Sequence, residues 1–252
     1  MYMRLLYVKV RTEAKPLIRQ FYEERVMSPL QDVAGCRFAG LIQSPHCPEE
    51  LVSMTLWDTR EQADAFRRSD MFRDIMTEVE RYLAESDEWN VQLSDDLVLQ
   101  VAAAPDAPVI KSYALSSQSD IRESMATAGP QMFLRLVSMR VAQGKTKEFR
   151  EIYETQVIPE LHQTRGCRCA CLLVDQGRDD ELLSVTLWDS RQDAEDYERS
   201  GRFAANLARV QPALSRLYHW KMALEKGGGR RLKTSEDVQV ESYTMVTGRR
   251  LR

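Results

Sequence analysis

The apolar positions of this chain alternate, then recur every three to four residues, then alternate again. Arg4 to Val10 is a weakly alternating run rich in Leu and Val, the period-two pattern of a strand. Ile18, Phe21, Tyr22 and Val26 follow at a spacing that puts one stripe on one helix face, with Pro16 tolerated in the first turn. Two more strands are predicted over Cys36 to Gln43 and Leu51 to Trp57, joined by a polar turn through Pro45 and Pro48. Thr59 with Gln62 three residues on resembles a capping box, so a helix starts directly at the end of the third strand. That helix carries Ala63 and Phe66 and breaks near Ser69-Asp70. A second runs from Phe72 through Met76 and Val79 to Leu83. Val109 to Leu115 is a late strand. The Ala- and Pro-rich stretch before it, Ala102 to Pro108, reads as flexible or as a crossing between units.

The whole series then recurs. Thr55-Leu56-Trp57-Asp58 returns 131 positions later as Thr186-Leu187-Trp188-Asp189, and Gly35-Cys36-Arg37 returns as Gly166-Cys167-Arg168. Arg4-Leu5 with Arg135-Leu136, Tyr22-Glu23 with Tyr153-Glu154, and Trp89 with Trp220 keep the same offset without a gap. Such register over this length requires one fold used twice. The expected organisation is a first unit over 1–116, a linker over 117–131 and a second unit over 132–252. Counterparts in the second unit include a last helix kinked by Pro212, a Gly227-Gly228-Gly229 connection and a late strand over Val238 to Val246.

Strand, helix, strand, strand, helix pair, strand is the order of a ferredoxin-like α+β unit. Helices cover one sheet face and leave the other bare. Leu41, Met54 and Leu56, with Leu172, Val185 and Leu187, are assigned to that bare face. Burial of apolar surface stabilises by about 25 cal/mol per Å². The predicted solution is two tandem units packed sheet to sheet as an intrachain pseudo-dimeric α/β barrel.

Composition narrows the function. A net charge of −3, with 35 basic and 38 acidic residues spread along 252, gives no nucleic-acid footprint. No stretch approaches the roughly 20 apolar residues that span a bilayer, and Met1 to Val10 reads as a strand rather than a signal peptide, so no membrane partner is expected. Five cysteines, an odd number, fit a reducing cytoplasm, the expected location. Cys167, Cys169 and Cys171 sit at alternate positions of one strand and read as small core residues facing one way; no metal is expected.

Alternation puts Ser53, Thr55 and Trp57 on one face, and Ser184, Thr186 and Trp188 on its counterpart. Hydroxyls and an indole N–H pointing together are a candidate set of donors for an oxygen that carries negative charge. The competing reading packs each Trp under the helices as core, its N–H on a backbone carbonyl. Phe66 and Tyr197 on the next helix are further substrate-binding candidates. His162 and His219 are candidate bases, since imidazole is the natural proton acceptor near neutral pH, whereas His46 lies in a turn. Neither candidate recurs in the first half, which makes the second half the better place for a working pocket.

The strand ending Thr-Leu-Trp-Asp, the segment Arg68-Ser69-Asp70-Met71-Phe72, the helix segment Phe21-Tyr22-Glu23 and the closing strands with Ser112-Tyr113 and Ser242-Tyr243 resemble the antibiotic biosynthesis monooxygenase (ABM) family of dimeric α/β barrels, once per half. The resemblance implies a cofactor-independent monooxygenase acting on a small aromatic or quinol-type substrate between sheet and helices. It leaves open a non-catalytic protein of the same fold that binds haem or another apolar ligand, and a structural protein with a filled pocket. Trp57 and Trp188 match the Trp of quinol-oxidising members, with Ser53 and Ser184 in place of the family's Asn. Haem-degrading members have a Trp and a His where this chain has Phe66 and Met76, and Tyr197 and Leu207. Without that His ligand, no cofactor is expected, although haem binding stays open. The implied partner is a small apolar or aromatic molecule, and strand edges leave a homo-oligomer open.

Overall fold

The two halves build matching elements. In the first, strand β1 (Tyr2–Lys9) leads to helix α1 (Lys15–Phe21), which runs through a π-helical segment (Tyr22–Met27) into a short last turn, α2 (Ser28–Leu30). Strands β2 (Cys36–Gln43) and β3 (Glu50–Trp57) pair as a hairpin, and helices α3 (Arg60–Arg67) and α4 (Asp70–Val79) follow. Then come β4 (Glu85–Leu93), β5 (Leu99–Pro105) and β6 (Val109–Ser117). The second half repeats the plan with β7 (Phe133–Arg140), α5 (Thr146–Ile152), a π-helical segment (Tyr153–Val157) and α6 (Ile158–His162). It continues with β8 (Cys167–Asp175), β9 (Glu181–Trp188), α7 (Arg191–Arg199), α8 (Arg202–Val210) and β10 (Val238–Arg250). This computed structural model describes residues 1–93, 99–105, 109–117, 132–215 and 238–251.

The strand-to-helix corner shows why the sequence folds this way. Thr59 Oγ1 accepts from the Gln62 N–H at 3.3 Å, and Gln62 Oε1 accepts from the Thr59 N–H at 3.2 Å, which completes the capping box. Ser190 caps α7 by accepting from the Asp193 N–H at 3.2 Å. The loop before β2 lies against that cap. Gly35 has φ +82°, and a Cβ there would stand 2.0 Å from Gln62 Oε1; Gly166 has φ +76°, with Asp193 Cβ at 2.5 Å. Only glycine combines the left-handed conformation with that approach.

The chain divides into two compact units, Arg4–Lys111 with Val246–Arg252, and Met1–Met3 with Ser112–Met245. Each unit is one repeat carrying the end of the other repeat's late strand. In the first, Leu251 N–H donates to Arg37 O at 2.9 Å; in the second, β6 pairs antiparallel with β8, Tyr113 opposite Asp175. The hydrogen-bonded strand order, β1-β3-β2-β10-β7-β9-β8-β6, closes as a barrel, the duplicated α+β architecture that the repeat predicts.

Four expectations are corrected. Of the Ala- and Pro-rich stretch, 102–105 is the end of β5, antiparallel to β4 with Trp89 opposite Ala103, rather than a flexible connection, because the ladder pairs its backbone despite the low strand propensity of Ala and Pro; 106–108 lie outside the described residues. Pro212 does not kink a helix; α8 ends at Val210 and a 3₁₀ turn, Gln211–Ala213, holds the proline near its start. Leu41 and Leu172 pair with Ser53 and Ser184 and so share the helix-covered face, leaving Met54, Leu56, Val185 and Leu187 buried on the opposite face. The three cysteines do not all face one way. A register shift sets Cys167 opposite Trp188 but Cys169 opposite Leu187, so Cys167 faces the helices and the other two face away. Of the expected linker, 118–131 lie outside the described residues, as does Gly227-Gly228-Gly229.

Candidate functional site: a roofed cavity in each repeat

Each repeat holds a cavity between its sheet and its helices. The first, about 730 Å³ counting the solvent at its open mouth, has Arg4, Leu41, Ser53 and Thr55 on its sheet side, and Tyr22, Phe66, Phe72, Ile75 and Met76 among its helical wall. The second, about 450 Å³ on the same measure, is walled by Arg135, Ser184 and Thr186 from the sheet and by Tyr153, Tyr197, Phe203, Asn206 and Leu207 from the helices. Most of the lining is apolar, with a few polar groups, the composition of a small-molecule pocket. The π-helical segments supply Tyr22 with Val26, and Tyr153 with Val157, to these walls. Single π turns in α-helices recur at functional sites.

The hydroxyls form fixed networks. Tyr22 donates to the Gly40 carbonyl at 3.0 Å, which leaves Ser53 to donate to Tyr22 Oη at 2.9 Å. Tyr153 and Ser184 meet at 2.5 Å. Burial raises the pKa of both tyrosines far above the usual phenol range, so they remain protonated and are not bases.

Both tryptophans are fully buried and stand behind the cavities rather than in their linings. Trp57 Nε1–H donates to Thr55 Oγ1 and Trp188 Nε1–H to Thr186 Oγ1, each at 2.9 Å. The competing expectation is therefore right about the packing, but the acceptor is a side-chain hydroxyl two residues back, not a backbone carbonyl. Trp57 packs on Phe66 with centroids 5.4 Å apart, and Trp188 on Tyr197 at 5.2 Å. Each indole thus buttresses one hydroxyl and one aromatic ring that do line a cavity.

The family model described as "Antibiotic biosynthesis monooxygenase" matches residues 1–78 and again 132–209, more than half of the chain. The chain belongs to the antibiotic biosynthesis monooxygenase family. A search of curated proteins gives no match. Among solved structures, a proposed monooxygenase from Lactobacillus acidophilus NCFM superposes with TM-score 0.60 at 8% identity, covering 99% of this chain and 95% of its own. Another proposed monooxygenase, from Fusobacterium nucleatum, gives TM-score 0.60 at 8% identity with 99% and 94% covered. An anthrone oxidase-like protein gives 0.59 at 12%, with 99% and 92% covered. At these identities the likeness establishes a shared fold.

In this ABM chain the sequence candidates separate into three groups. Ser53, Thr55 and Phe66 line the first cavity, and Ser184, Thr186 and Tyr197 line the second. Trp57 and Trp188 support them from behind. His162 ends α6 as an exposed side chain outside the cavity lining, because it sits on the outer side of a helix whose inner side carries Leu161. His219 lies outside the described residues. Met76 and Leu207 line the cavities at the positions where haem-degrading relatives are expected to carry a histidine. Among the described residues no cluster of His, Cys, Asp or Glu is arranged to hold a metal, and no helix is long and apolar enough to cross a membrane.

Sequence reasoning passed over three lining groups: Arg4 with Arg135, Tyr22 with Tyr153, and Asn206. The arginines had a signal, a charge kept at one position of two apolar strands. Asn206 had another, since it replaces Ile75 just where Tyr197 replaces Phe66. Asn206 Nδ2–H donates to Tyr197 Oη at 2.9 Å and Asn206 Oδ1 accepts from Arg209 at 2.5 Å. The paired substitution brings a buried polar network into the second cavity only.

Proposed function

We propose that this chain is a cofactor-independent monooxygenase acting on a small aromatic or quinol-type substrate held between the sheet and helices of a repeat. The observation that carries the reading is the second cavity: an apolar chamber walled by two phenols, two hydroxyls, an amide and a buried guanidinium. An aromatic body fits the apolar walls, and donors along one side suit an oxygen that gains negative charge. The overall reaction balances without a redox cofactor. A substrate CH₂ and one O₂ give a C=O and one water, the substrate supplying the electrons. Family membership supports the reaction class, and a fold neighbour described as anthrone oxidase-like suggests anthrones beside naphthoquinols as trial substrates.

Oxygen-electrode measurements with such a panel test the reading. Uptake above the spontaneous rate, stoichiometric with carbonyl product, is the expected result. Failure across the panel with a folded protein would reject it. The second reading, an apolar-ligand binder without turnover, is favoured by the cavity linings, which among the described residues contain neither a carboxylate nor an imidazole. For haem, a Soret titration is the corresponding assay.

A further inference from the structure

Arg4 and Arg135 occupy the same place in their repeats, yet their guanidinium groups are held differently. Arg4 donates to Ala63 O at 2.5 Å and to Asp64 Oδ1 at 2.7 Å. In the second repeat Asp64 becomes Glu195, whose longer side chain turns outward and pairs with Arg191 at 2.6 Å. Arg135 is held instead by Glu198, which stands where the first repeat has Arg67, and its guanidinium lies 5.1 Å from the Phe203 ring centroid. This leaves Arg135 Nε–H and Nη1–H buried with no hydrogen-bond partner among the described residues, in a side chain that is only 5% exposed and forms part of the cavity wall. Unsatisfied buried donors, two of them on one cation, are costly and unusual. A second unused donor stands nearby. Tyr197 Oη accepts from Asn206, so its own O–H proton is not taken up by that bond. Burial keeps that phenol protonated.

We infer that the second-repeat cavity binds its apolar ligand as an anion, a phenolate or carboxylate whose charged oxygen meets Arg135 and the Tyr197 hydroxyl. The first repeat lacks this function: Arg4 is committed to Ala63 and Asp64, and Phe66 has no hydroxyl. Glu198 balances the arginine's charge, and its half-exposed carboxylate sets how strongly the cavity attracts an anion. The inference deepens the proposed function by naming the ionised form and the repeat, but it needs binding alone, so it can fail while turnover stands, and the reverse.

The test uses the full chain with 4-nitrophenolate and its neutral twin 4-nitroanisole, followed by absorbance titration and equilibrium dialysis. Wild-type protein is expected to prefer the anion. Arg135→Gln weakens 4-nitrophenolate at least tenfold, the loss of charge-assisted hydrogen bonds, and leaves 4-nitroanisole unchanged. Glu198→Gln tightens the anion several-fold, a gain that misfolding cannot mimic, and Tyr197→Phe weakens it by a smaller factor. Equal loss of both probes in Arg135→Gln would overturn the inference. So would a wild-type protein indifferent to charge, or a folded Glu198→Gln variant with unchanged anion affinity. Where Arg135→Gln does not fold, the Glu198→Gln result decides.

Discussion

Trp188 donates its indole N–H to the hydroxyl of Thr186 at 2.9 Å, two residues back on the same strand, and Trp57 and Thr55 repeat the bond. On a strand, residues two apart share a face, so the bond spans one pleat and fixes the hydroxyl beside the ring. The tryptophan's influence on the cavity therefore passes through Thr186 and Tyr197.

Trp188→Phe keeps the ring stack on Tyr197 and removes one buried donor. A cost of about 1 kcal/mol is expected, whereas Trp188→Ala costs about 3–5 kcal/mol through the cavity it leaves. Urea midpoints measure both. A loss in Trp188→Phe as large as in Trp188→Ala would mean that the indole N–H, not packing, dominates.

Tyr153 and Ser184 share a buried hydrogen bond of 2.5 Å. Tyr153→Phe leaves the serine hydroxyl without that partner and is expected to cost about 1–3 kcal/mol. Ser184→Ala added to it should then cost little more, because both single changes remove the same bond. Strictly additive free energies in the four-variant cycle would contradict the bond.

Gly166→Ala must accept a left-handed φ and a contact with Asp193, while Gly144→Ala, at φ +78°, meets nothing within 4 Å. The first is expected to cost more than about 1–3 kcal/mol and the second to fall within that range, since it bears backbone strain alone. Thermal melts of the two variants, compared side by side, check the order.

Burial pushes the Cys36 and Cys167 thiols up to about 12. A group that is harder to deprotonate in the folded state adds stability in full below its unfolded pKa and loses it as pH rises toward the folded value. Stability is thus expected to decline between about pH 9 and pH 12, and Cys36→Ala and Cys167→Ala should each flatten that decline. Denaturant midpoints at pH 8 and pH 10.5 give the comparison; a midpoint that rises with pH would refute the assignment.

Features that depend on nearby residues were readable in the sequence. The cap pairs Thr59–Gln62 and Ser190–Asp193, the stripe through Tyr22 and Val26, and the two β-hairpins are set by spacings of two to four residues. The constant 131-residue offset then fixed that both halves share one plan. Cross-strand relations were not readable in that way. A one-residue register shift at Arg37 and at Arg168 moved Leu41 and Leu172 to the helix side and split Cys167 from Cys169, because side-chain direction reverses with each residue of slip.

The sequence by itself determined the repeat, its hairpins and paired helices, and the hydroxyl rows Ser53–Thr55 and Ser184–Thr186. Only the tertiary structure decided what those rows surround and which buried donors are left without a hydrogen bond. That Arg135 keeps two buried donors free, while Arg4 keeps its carboxylate, depends on whether Asp64 or Glu195 faces inward. Spacing along the chain cannot specify that choice, because the competing partners come from different elements and are selected by reach and packing.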